Sequence, residues 1–435
     1  GTGRYEGTNR LGKSRSARWL PTWNVAGAWN VHEEKFYSNF TNPVLSHATL
    51  KASYSLTADR GPAFVTNSQA ILNSYSPWRP SASVTESGMR ITELENSELT
   101  YEKKHEFNVG IDLGFLKNRL NLAADYYRRN NFDLIGVINT QGAGGTIAKY
   151  ANIASMKSSG IELTISSKNM RTKDFSWNTD FIFSKTKNEI TDLKSHANVL
   201  SLISGNGFGR EGYPVRGLFS IPFAGLTEDG LPTFINQDGQ KTISSFNFQE
   251  YEKLDFLKYE GPTDPTITGS FGNILTYKNL KLNVFVTYSF GNVIRLDPVF
   301  SNAYSDLDAM PKEFKNRWMK AGDENVTNIP TIVSTRMNQQ YAYLNMAYNA
   351  YNYSDVRIAD GGFIRLKEIS LSYDLPAKVI NFFRLNKLQL KLQATNLCLL
   401  YADSKLNGQD PEFFRSGGVS TPVPKQFTFT VRLGL

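Results

Sequence analysis

Apolar and polar residues alternate along much of this chain with a period of two. The last nine residues show this most clearly, because every second one is a bulky apolar residue: Phe427, Phe429, Val431, Leu433 and Leu435. The residues between them are small or polar. A period of two predicts a β-strand with one apolar and one polar face. We therefore expect the chain to end in a strand with one face toward an apolar environment and the other toward water.

The same alternation predicts further strands upstream. They lie at residues 23–31, 50–56, 107–115, 120–126, 161–165, 175–184, 282–290, 369–375 and 388–394. In the run at 282–290, Phe285 is the exception to the pattern. Several runs approach the roughly 9–11 residues with which a tilted strand crosses a bilayer, whereas strands of soluble proteins average about 5–6 residues. Apolar and polar residues also alternate along the strands of a soluble β-sandwich. The lengths of the connections between strands are therefore needed to distinguish the two folds.

The connections between these strands are either short or very long. The short ones lie at 32–46, 116–119, 168–174, 278–281 and 376–387, and the long ones at 58–104, 191–268, 292–362 and 401–426. Counting back from Leu435 with one change of side per strand places all short turns on one side and all long loops on the other. Outer-membrane barrels have this asymmetry, with short periplasmic turns and long extracellular loops. We predict an all-β, transmembrane antiparallel β-barrel wall of about twelve strands, the first a stub near 3–10.

Composition excludes several other classes of protein. The chain has 435 residues, 40% of them hydrophobic, and a mean hydropathy of −0.36, and it contains no run near the roughly 20 apolar residues of a membrane helix. Aromatic residues make up 13% of the chain, which suits strands and interfacial girdles. One cysteine, Cys398, excludes a disulfide framework. The net charge of +8 is spread evenly, which argues against nucleic acid. A solvated surface is the favoured explanation of this charge, and lipopolysaccharide phosphates or a periplasmic surface would also explain it.

Several short motifs formally match functional signatures and are better explained as loops. Residues 207–212 read GxGxxG, but Tyr213 and Pro214 follow within a long loop, where a nucleotide site requires a helix. Residues 403–410 lack the EF-hand ligand spacing, and the acid pairs at 33–34 and 93–95 lie in turns or loops. The four histidines are too scattered for a metal cluster. We predict no catalytic, cofactor-binding or metal site, and the sequence assigns no substrate-binding residue.

One segment has a helical pattern inside a long loop. Residues 310–321 begin near Pro311, carry Phe314 and Trp318 as apolar residues, and stop before Gly322. We predict a helix there. It would pack on its own loop or on a partner protein at the barrel mouth, and the first alternative is favoured.

Aromatic and polar residues on the predicted strands and loops have different expected roles. Girdle candidates near strand ends are Trp19, Trp23, Trp29, Tyr37, Tyr126, Tyr127, Trp177 and Tyr288. Loop aromatics that are placed to stack on sugar rings are Tyr75, Trp78, Tyr341, Tyr343, Tyr348, Tyr351 and Tyr353. The predicted inward polar row consists of Asn108, Asp112, Asp125, Asp180, Lys391, Gln393 and Arg432. We expect that row to be solvated lining, facing a plug or a solute.

Several motifs, in this order and spacing, resemble the SusC/RagA-type TonB-dependent outer-membrane transporters of Bacteroidota. The most specific is the stretch at 110–120, which continues through Asp125-Tyr-Tyr-Arg128. The others lie at 9–12, 18–19, 26–29, 50–54, 159–162, 212–214, 229–232, 361–366, 396–397 and 410–412. The stretch at 57–61 departs from the Gly-Asn turn of the family, which predicts a reshaped loop.

The resemblance implies a 22-stranded barrel, of which residues 1–435 would be the C-terminal portion. The signal peptide, N-terminal extension, TonB box and plug domain would then lie on an upstream part that this chain lacks. It also implies a function: energy-dependent import of a large nutrient, a glycan or a peptide, across the outer membrane of a Gram-negative bacterium. A SusD-like surface lipoprotein would cover the mouth, and periplasmic TonB would act through the missing plug.

Two other classes of function stay open at this stage. One is a passive porin or a structural barrel subunit of a surface complex, which would lack a plug and a TonB box. The other is an enzyme, such as an outer-membrane hydrolase or a soluble β-rich glycanase. We expect no enzyme, because no sequence cue links a nucleophile to a base.

Overall fold

The computed structural model contains one sheet of twelve antiparallel strands, each hydrogen-bonded to the next along the chain. It describes all residues except 39–43, 63–64, 66–68, 79–85, 141, 143–147, 300–311, 383–384, 415–423 and 435. The strands are β1 (Thr2–Gly7), β2 (Trp19–Asn30), β3 (Leu45–Asp59), β4 (Glu102–Phe115), β5 (Leu120–Asn139), β6 (Ala148–Arg171), β7 (Phe175–Leu193), β8 (Ile267–Tyr277), β9 (Leu280–Phe290), β10 (Phe363–Asp374), β11 (Lys387–Ala402) and β12 (Gln426–Gly434). The predicted all-β antiparallel wall of twelve strands is confirmed.

The predicted asymmetry of the connections is also present. Since neighbouring strands are antiparallel, the connections at 31–44, 116–119, 172–174, 278–279 and 375–386 all lie at one end of the sheet. We call this the short-turn end. The connections at 8–18, 60–101, 140–147, 194–266, 291–362 and 403–425 lie at the opposite, long-loop end. Outside the two longest connections, the described residues form short helices at Arg15–Arg18, Lys35–Ser38 and Ala377–Phe382. In the described part of the chain, no helix has the length and hydropathy needed to span a membrane.

One face of the sheet carries large apolar side chains that the described residues leave exposed. Across β10, β11 and β12, for example, Leu371 lies opposite Leu392, which lies opposite Phe429, and these side chains are 41%, 59% and 61% exposed. A wide apolar surface of this kind is unusual for a soluble protein and typical of a lipid-facing wall. We call this the outward face. The period of two therefore separates an outward apolar face from an inward polar one.

The predicted girdle aromatics that are strongly exposed lie mostly on the outward face. Tyr127, another predicted girdle residue, is buried and lies on the inward face. Tyr126 is 41% exposed and points outward, whereas its neighbour Tyr127 is 6% exposed and lies on the inward face opposite Gly160. Adjacent residues of a strand point to opposite faces, so the two tyrosines cannot both contact lipid. The girdle role predicted for Tyr127 is wrong.

Three adjacent strands are much taller than the others. β5, β6 and β7 have 20, 24 and 19 residues, whereas β8 and β9 have 11 each. These strands are aligned at the short-turn end, so their extra length projects beyond the long-loop end. A small buried cluster of Leu11, Val65, Leu99 and Tyr101 packs against the projecting part.

The two longest connections fold together into one compact unit, which we call the loop domain (194–266 and 291–362). Its strands are Gly217–Ser220, Phe223–Leu226, Pro232–Ile235, Lys241–Thr242, Lys258–Pro262, Val293–Arg295 and Ile358–Asp360, and its helices are Val199–Ile203, Thr335–Gln340 and Leu344–Asn352. Both connections contribute to its core, in which Phe219, Ile221 and Phe234 from the first pack with Ala350 and Tyr351 from the second. A hairpin, Ile71–Tyr75 with Gly88–Glu93, occupies another loop.

The helix predicted at 310–321 is wrong in type and length. The structure has a 3-10 helix at Lys312–Asn316, and Met310 and Pro311 lie outside the described residues. After this helix the Asp323 carboxylate accepts hydrogen bonds from the backbone N–H groups of Met319 and Lys320, at 3.0 and 3.1 Å, which turns the chain. Phe314 is 3% exposed within the loop-domain core, so its packing on its own loop is confirmed.

Candidate functional site

A cavity of about 1400 Å³ lies at the long-loop end, between the loop domain and strands β10 and β11. Polar residues that line it include Asn206, Arg295, Asp297, Asn349, Asn352, Tyr353, Arg365, Asn396, Asp403, Gln409, Asp410 and Lys425. Apolar residues include Leu397, Leu399, Phe413 and Phe414, and Cys398 also contributes. Ligand pockets for drug-sized molecules are roughly 300–1000 Å³, so this cavity has room for a larger solute.

A buried ion pair forms part of the cavity wall. The Arg365 guanidinium on β10 donates to both carboxylate oxygens of Asp410, at 2.6 and 2.7 Å, and lies 3.2 Å from a carboxylate oxygen of Glu412. The side chains of Arg365 and Asp410 are 5% and 8% exposed. Both lie in segments whose motifs resemble the transporter family, at 361–366 and 410–412. The pair fixes the loop after β11 against the barrel wall.

Two further buried arginines lie in the loop domain, and one of them, Arg295, lines the cavity. Arg295 donates to the carbonyl oxygens of Phe219 and Ser354, at 2.6 and 3.0 Å, and Arg357 donates to the Asp297 carbonyl at 2.6 Å. Burial lowers the pKa of Arg295 to about 10, which leaves its guanidinium charged at neutral pH. The Arg295 guanidinium connects the two segments of the loop domain, because Phe219 lies in the first segment and Ser354 in the second. Arg357 and Asp297 both lie in the second segment, so their bond stabilises that segment alone.

The inward face carries a polar cluster centred on Glu368 of β10. Its carboxylate accepts hydrogen bonds from Asn283 at 3.1 Å, from Ser370 at 3.1 Å and from Gln393 at 3.3 Å, and lies 3.9 Å from the Lys391 ammonium. Lys391 and Gln393 belong to the predicted inward row, and the structure brings them together here. Glu368 itself was missed, because a register shift between Leu366 and Glu368 breaks the alternation. The signal was present as two successive charged residues, 367–368, inside an alternating run.

The other members of the predicted inward row are spread over the same face. Asp112 pairs with Lys51, and Asp180 accepts a hydrogen bond from Ser166 at 2.7 Å. Asp125 lies against Gly110, its cross-strand partner. Asn108, on β4, and Arg432, on β12, lie several strands apart, so the row lines the wall and does not converge on one point.

The loop aromatics divide into buried and exposed groups. Tyr348 and Tyr351 are 0% and 1% exposed in cores of the loop domain, so they are not available to stack on sugars, and that expectation is wrong for them. Trp78, Tyr343 and Tyr75 are 86%, 71% and 42% exposed. Tyr353 lines the cavity, and the Tyr341 hydroxyl donates to Asp229 at 2.8 Å.

The motifs that were assigned to loops have structural roles. Residues 207–212 connect the helix Val199–Ile203 to the strand Gly217–Ser220, which is the reverse of the strand-to-helix context of a nucleotide site. Asp403 caps the 3-10 helix Ser404–Leu406 by accepting from the Lys405 N–H at 2.9 Å. Glu34 accepts from the Trp29 indole at 2.9 Å, and Glu95 pairs with Lys13 at 2.6 Å. Within the described residues, no group of three potential metal ligands comes together.

Comparison with known proteins identifies relatives along nearly the whole chain. It is 24% identical to TonB-dependent receptor P3 of Formosa agariphila over 94% of this chain and 40% of that protein. It is 25% identical to TonB-dependent receptor SusC of Bacteroides thetaiotaomicron over 100% of this chain and 41% of that protein. The chain thus spans less than half the length of the curated relatives that it matches. No family model matches it.

A solved structure also matches this chain over nearly its whole length. The fold superimposes on the RagAB peptide transporter with a TM-score of 0.77 at 23% identity, covering 99% of this chain and 45% of that chain. A match of this identity establishes the fold, and the named relatives indicate an outer-membrane β-barrel. The resemblance of this chain to the SusC/RagA-type TonB-dependent transporters is therefore confirmed.

Proposed function

We propose that this chain is the C-terminal barrel portion of a transporter that imports a large nutrient, a glycan or a peptide, across the outer membrane of a Gram-negative bacterium. On this proposal, residues 1–435 supply twelve strands of a 22-stranded wall, and the plug and N-terminal extension belong to the rest of the protein. The proposal rests chiefly on the match to TonB-dependent receptors over nearly the whole chain.

The wall and the cavity support import of a hydrated solute. The inward face is lined by charged and amide side chains, such as Asp112, Asp180 and the Glu368 cluster, that suit water and a polar cargo. The cavity at the long-loop end has room for an oligomeric solute, and it combines hydrogen-bonding groups with apolar wall. A barrel of 22 strands has a lumen too wide for side chains to fill, so a plug or water must occupy it.

We further propose the partners of the whole transporter. A SusD-like surface lipoprotein would cover the long-loop end, where the loop domain and the projecting strands β5–β7 present a large surface. Periplasmic TonB would act on the plug from the short-turn end. The named relatives are receptors and a transporter, which supports transport over catalysis.

Uptake in the producing bacterium tests this proposal. Disrupting the gene should abolish uptake of large labelled glycans or peptides, and expression of the full-length protein should restore it. Disrupting TonB should have the same effect, because import against a gradient requires energy. If uptake persists without TonB and is limited only by solute size, the protein is a passive porin and the proposal is wrong. Mass spectrometry of proteins that co-purify from native membranes should identify the lipoprotein lid.

A further inference from the structure

Exposed cations lie side by side on the outward face of the three tall strands. The register places Arg128 of β5 opposite Ser159 of β6, and Ser159 opposite Lys187 of β7. One row closer to the short-turn end, Tyr126 lies opposite Ile161, and Ile161 opposite Lys185. Arg128, Lys185 and Lys187 are all exposed. We call these three residues together with Ser159 the basic patch.

The basic patch lies where these strands leave the apolar layer. A tilted strand crosses that layer in about 9–11 residues, so β7, which begins at Phe175, emerges near residues 183–185. β5 begins at Leu120 and emerges near 128–130 by the same count. Below the patch, the outward side chains of Tyr126 and Ile161 are apolar and 41% and 50% exposed. The cations therefore lie at headgroup level, directly above a lipid-facing surface.

The positive charge of the patch is largely uncompensated. Among the described residues, Arg128 and Lys185 have no ion-pair or hydrogen-bond partner for their side chains. Glu189 lies 3.7 Å from the Lys187 ammonium, but it also pairs with Lys157 at 2.8 Å. One carboxylate shared between Lys157 and Lys187 leaves a net positive charge on this part of the outward face.

The spacing of the patch suits a phosphate group. Neighbouring strands are about 4.8 Å apart, so the backbones of Arg128 and Lys187 are roughly 10 Å apart, with the small Ser159 between them. Two long cationic side chains can reach a single phosphate above Ser159, whose hydroxyl is an additional donor. An acyl chain attached to that phosphate would extend down over Ile161 and Tyr126.

We propose that the basic patch binds the phosphate of a phosphorylated glycolipid in the outer leaflet of the outer membrane. Two of the four residues of the patch, Arg128 and Ser159, lie in segments whose motifs resemble the transporter family, at 125–128 and 159–162. The proposed ligand is a lipid and not free phosphate, because only a lipid can contact both the cations and the apolar surface below them. The inference depends on the barrel lying in the outer membrane and not on what it imports, so failure of one proposal leaves the other standing.

Lipid titration of the full-length protein in nanodiscs tests the proposal. Native mass spectrometry would measure the binding of diphosphoryl lipid A, of its dephosphorylated form and of inorganic phosphate. In the triple variant Arg128→Gln, Lys185→Gln and Lys187→Gln, affinity for the diphosphoryl lipid should fall about 100-fold, since each cation near a charged membrane surface contributes roughly a factor of five. The dephosphorylated lipid should bind both forms weakly and equally.

A second triple variant controls for net charge. Lys241→Gln, Lys320→Gln and Arg336→Gln remove the same charge from exposed positions of the loop domain and should leave lipid affinity unchanged. Lys187→Gln alone, at a side chain that is 78% exposed, should lower the affinity about five-fold without any risk to folding. Unchanged affinity in the triple variant of the patch, an equal loss in the control, or displacement of the lipid by inorganic phosphate at equal concentration would each overturn the proposal.

Discussion

The guanidinium of Arg365 connects the barrel wall to the loop after β11. It is almost fully buried and bonded to both oxygens of Asp410. Removing one partner of such a pair leaves an unpaired buried charge, which typically costs about 3–5 kcal/mol, whereas replacing both with apolar residues costs less. The strength of this contact therefore depends on both residues being present.

We expect Asp410→Asn to loosen the segment 403–414 by roughly 3 kcal/mol or more. Hydrogen exchange of that segment should accelerate accordingly, and the double variant Arg365→Met with Asp410→Leu should exchange more slowly than either single variant. Asp238→Asn is the control, because its partner Lys253 is 63% exposed and the exchange of its segment should change little. Equal exchange in Asp410→Asn and the native protein would contradict this role of the pair.

The phenol of Tyr351 makes the stability of the loop domain depend on pH in the alkaline range. Burial raises the pKa of its phenol to about 12 against an opposing effect of Arg357, whereas the unfolded value is 10.0. The resulting stabilisation, about 2.7 kcal/mol at most, is fully present below pH 10 and is lost as the pH rises to about 12. The difference in tyrosinate absorbance between the native protein and Tyr351→Phe should have its midpoint near pH 12, and a midpoint near 10 would exclude a buried phenol.

Single residues were the hardest features to predict from sequence. Arg365 and Asp410 lie in two motifs that were recognised separately, but they are 45 residues apart in the sequence, and Asp410 lies in a loop, where alternation does not predict contacts. Tyr348 and Tyr351 were assigned to a binding role because loops are usually solvated, and burial in a folded loop reversed this. A period-two pattern carries no information about either effect.

At the scale of elements, the strands were predicted well and the loop structure was not. The strand positions follow from side-chain alternation at a two-phase boundary, which is a local property of the sequence. The extra length of β5, β6 and β7 was missed, because beyond the membrane both faces contact water or loops and alternation fades. The prediction of a helix at 310–321 was wrong because non-helical contacts override the local helical preference. The backbone N–H groups of Met319 and Lys320 donate to the Asp323 carboxylate, which turns the chain.

Close packing between Tyr127 and Gly160 should make one wall position intolerant of any side chain. A Cβ on Gly160 would lie 2.5 Å from the Tyr127 ring, whereas a Cβ on Gly27 of β2 would contact nothing within 4 Å. We expect Gly160→Ala to lower stability by about 1–3 kcal/mol and Gly27→Ala to have no such cost. Thermal unfolding in detergent measures both, and an equal melting temperature for the two variants would refute the packing explanation.

At the scale of the whole molecule, the outward apolar face requires a lipid environment. Because residues such as Phe427 and Phe429 are 74% and 61% exposed, the chain in its full-length protein should fractionate with the outer membrane and require detergent for extraction. The folded barrel should also migrate differently in gels before and after boiling. Recovery in the soluble fraction without detergent would rule out the barrel interpretation.

The shared core of the loop domain has a consequence for how specificity can be exchanged between relatives. Among the described residues, segment 194–266 contributes nine and segment 291–362 contributes four of the thirteen buried residues of one hydrophobic interior. Strands β8 and β9 separate the two segments in the chain. A chimera that inherits one segment from a relative would pair mismatched halves and should misfold at the cell surface, as surface proteolysis would detect. A chimera that inherits both segments should fold and should have the donor's cargo preference. The two segments are therefore expected to coevolve.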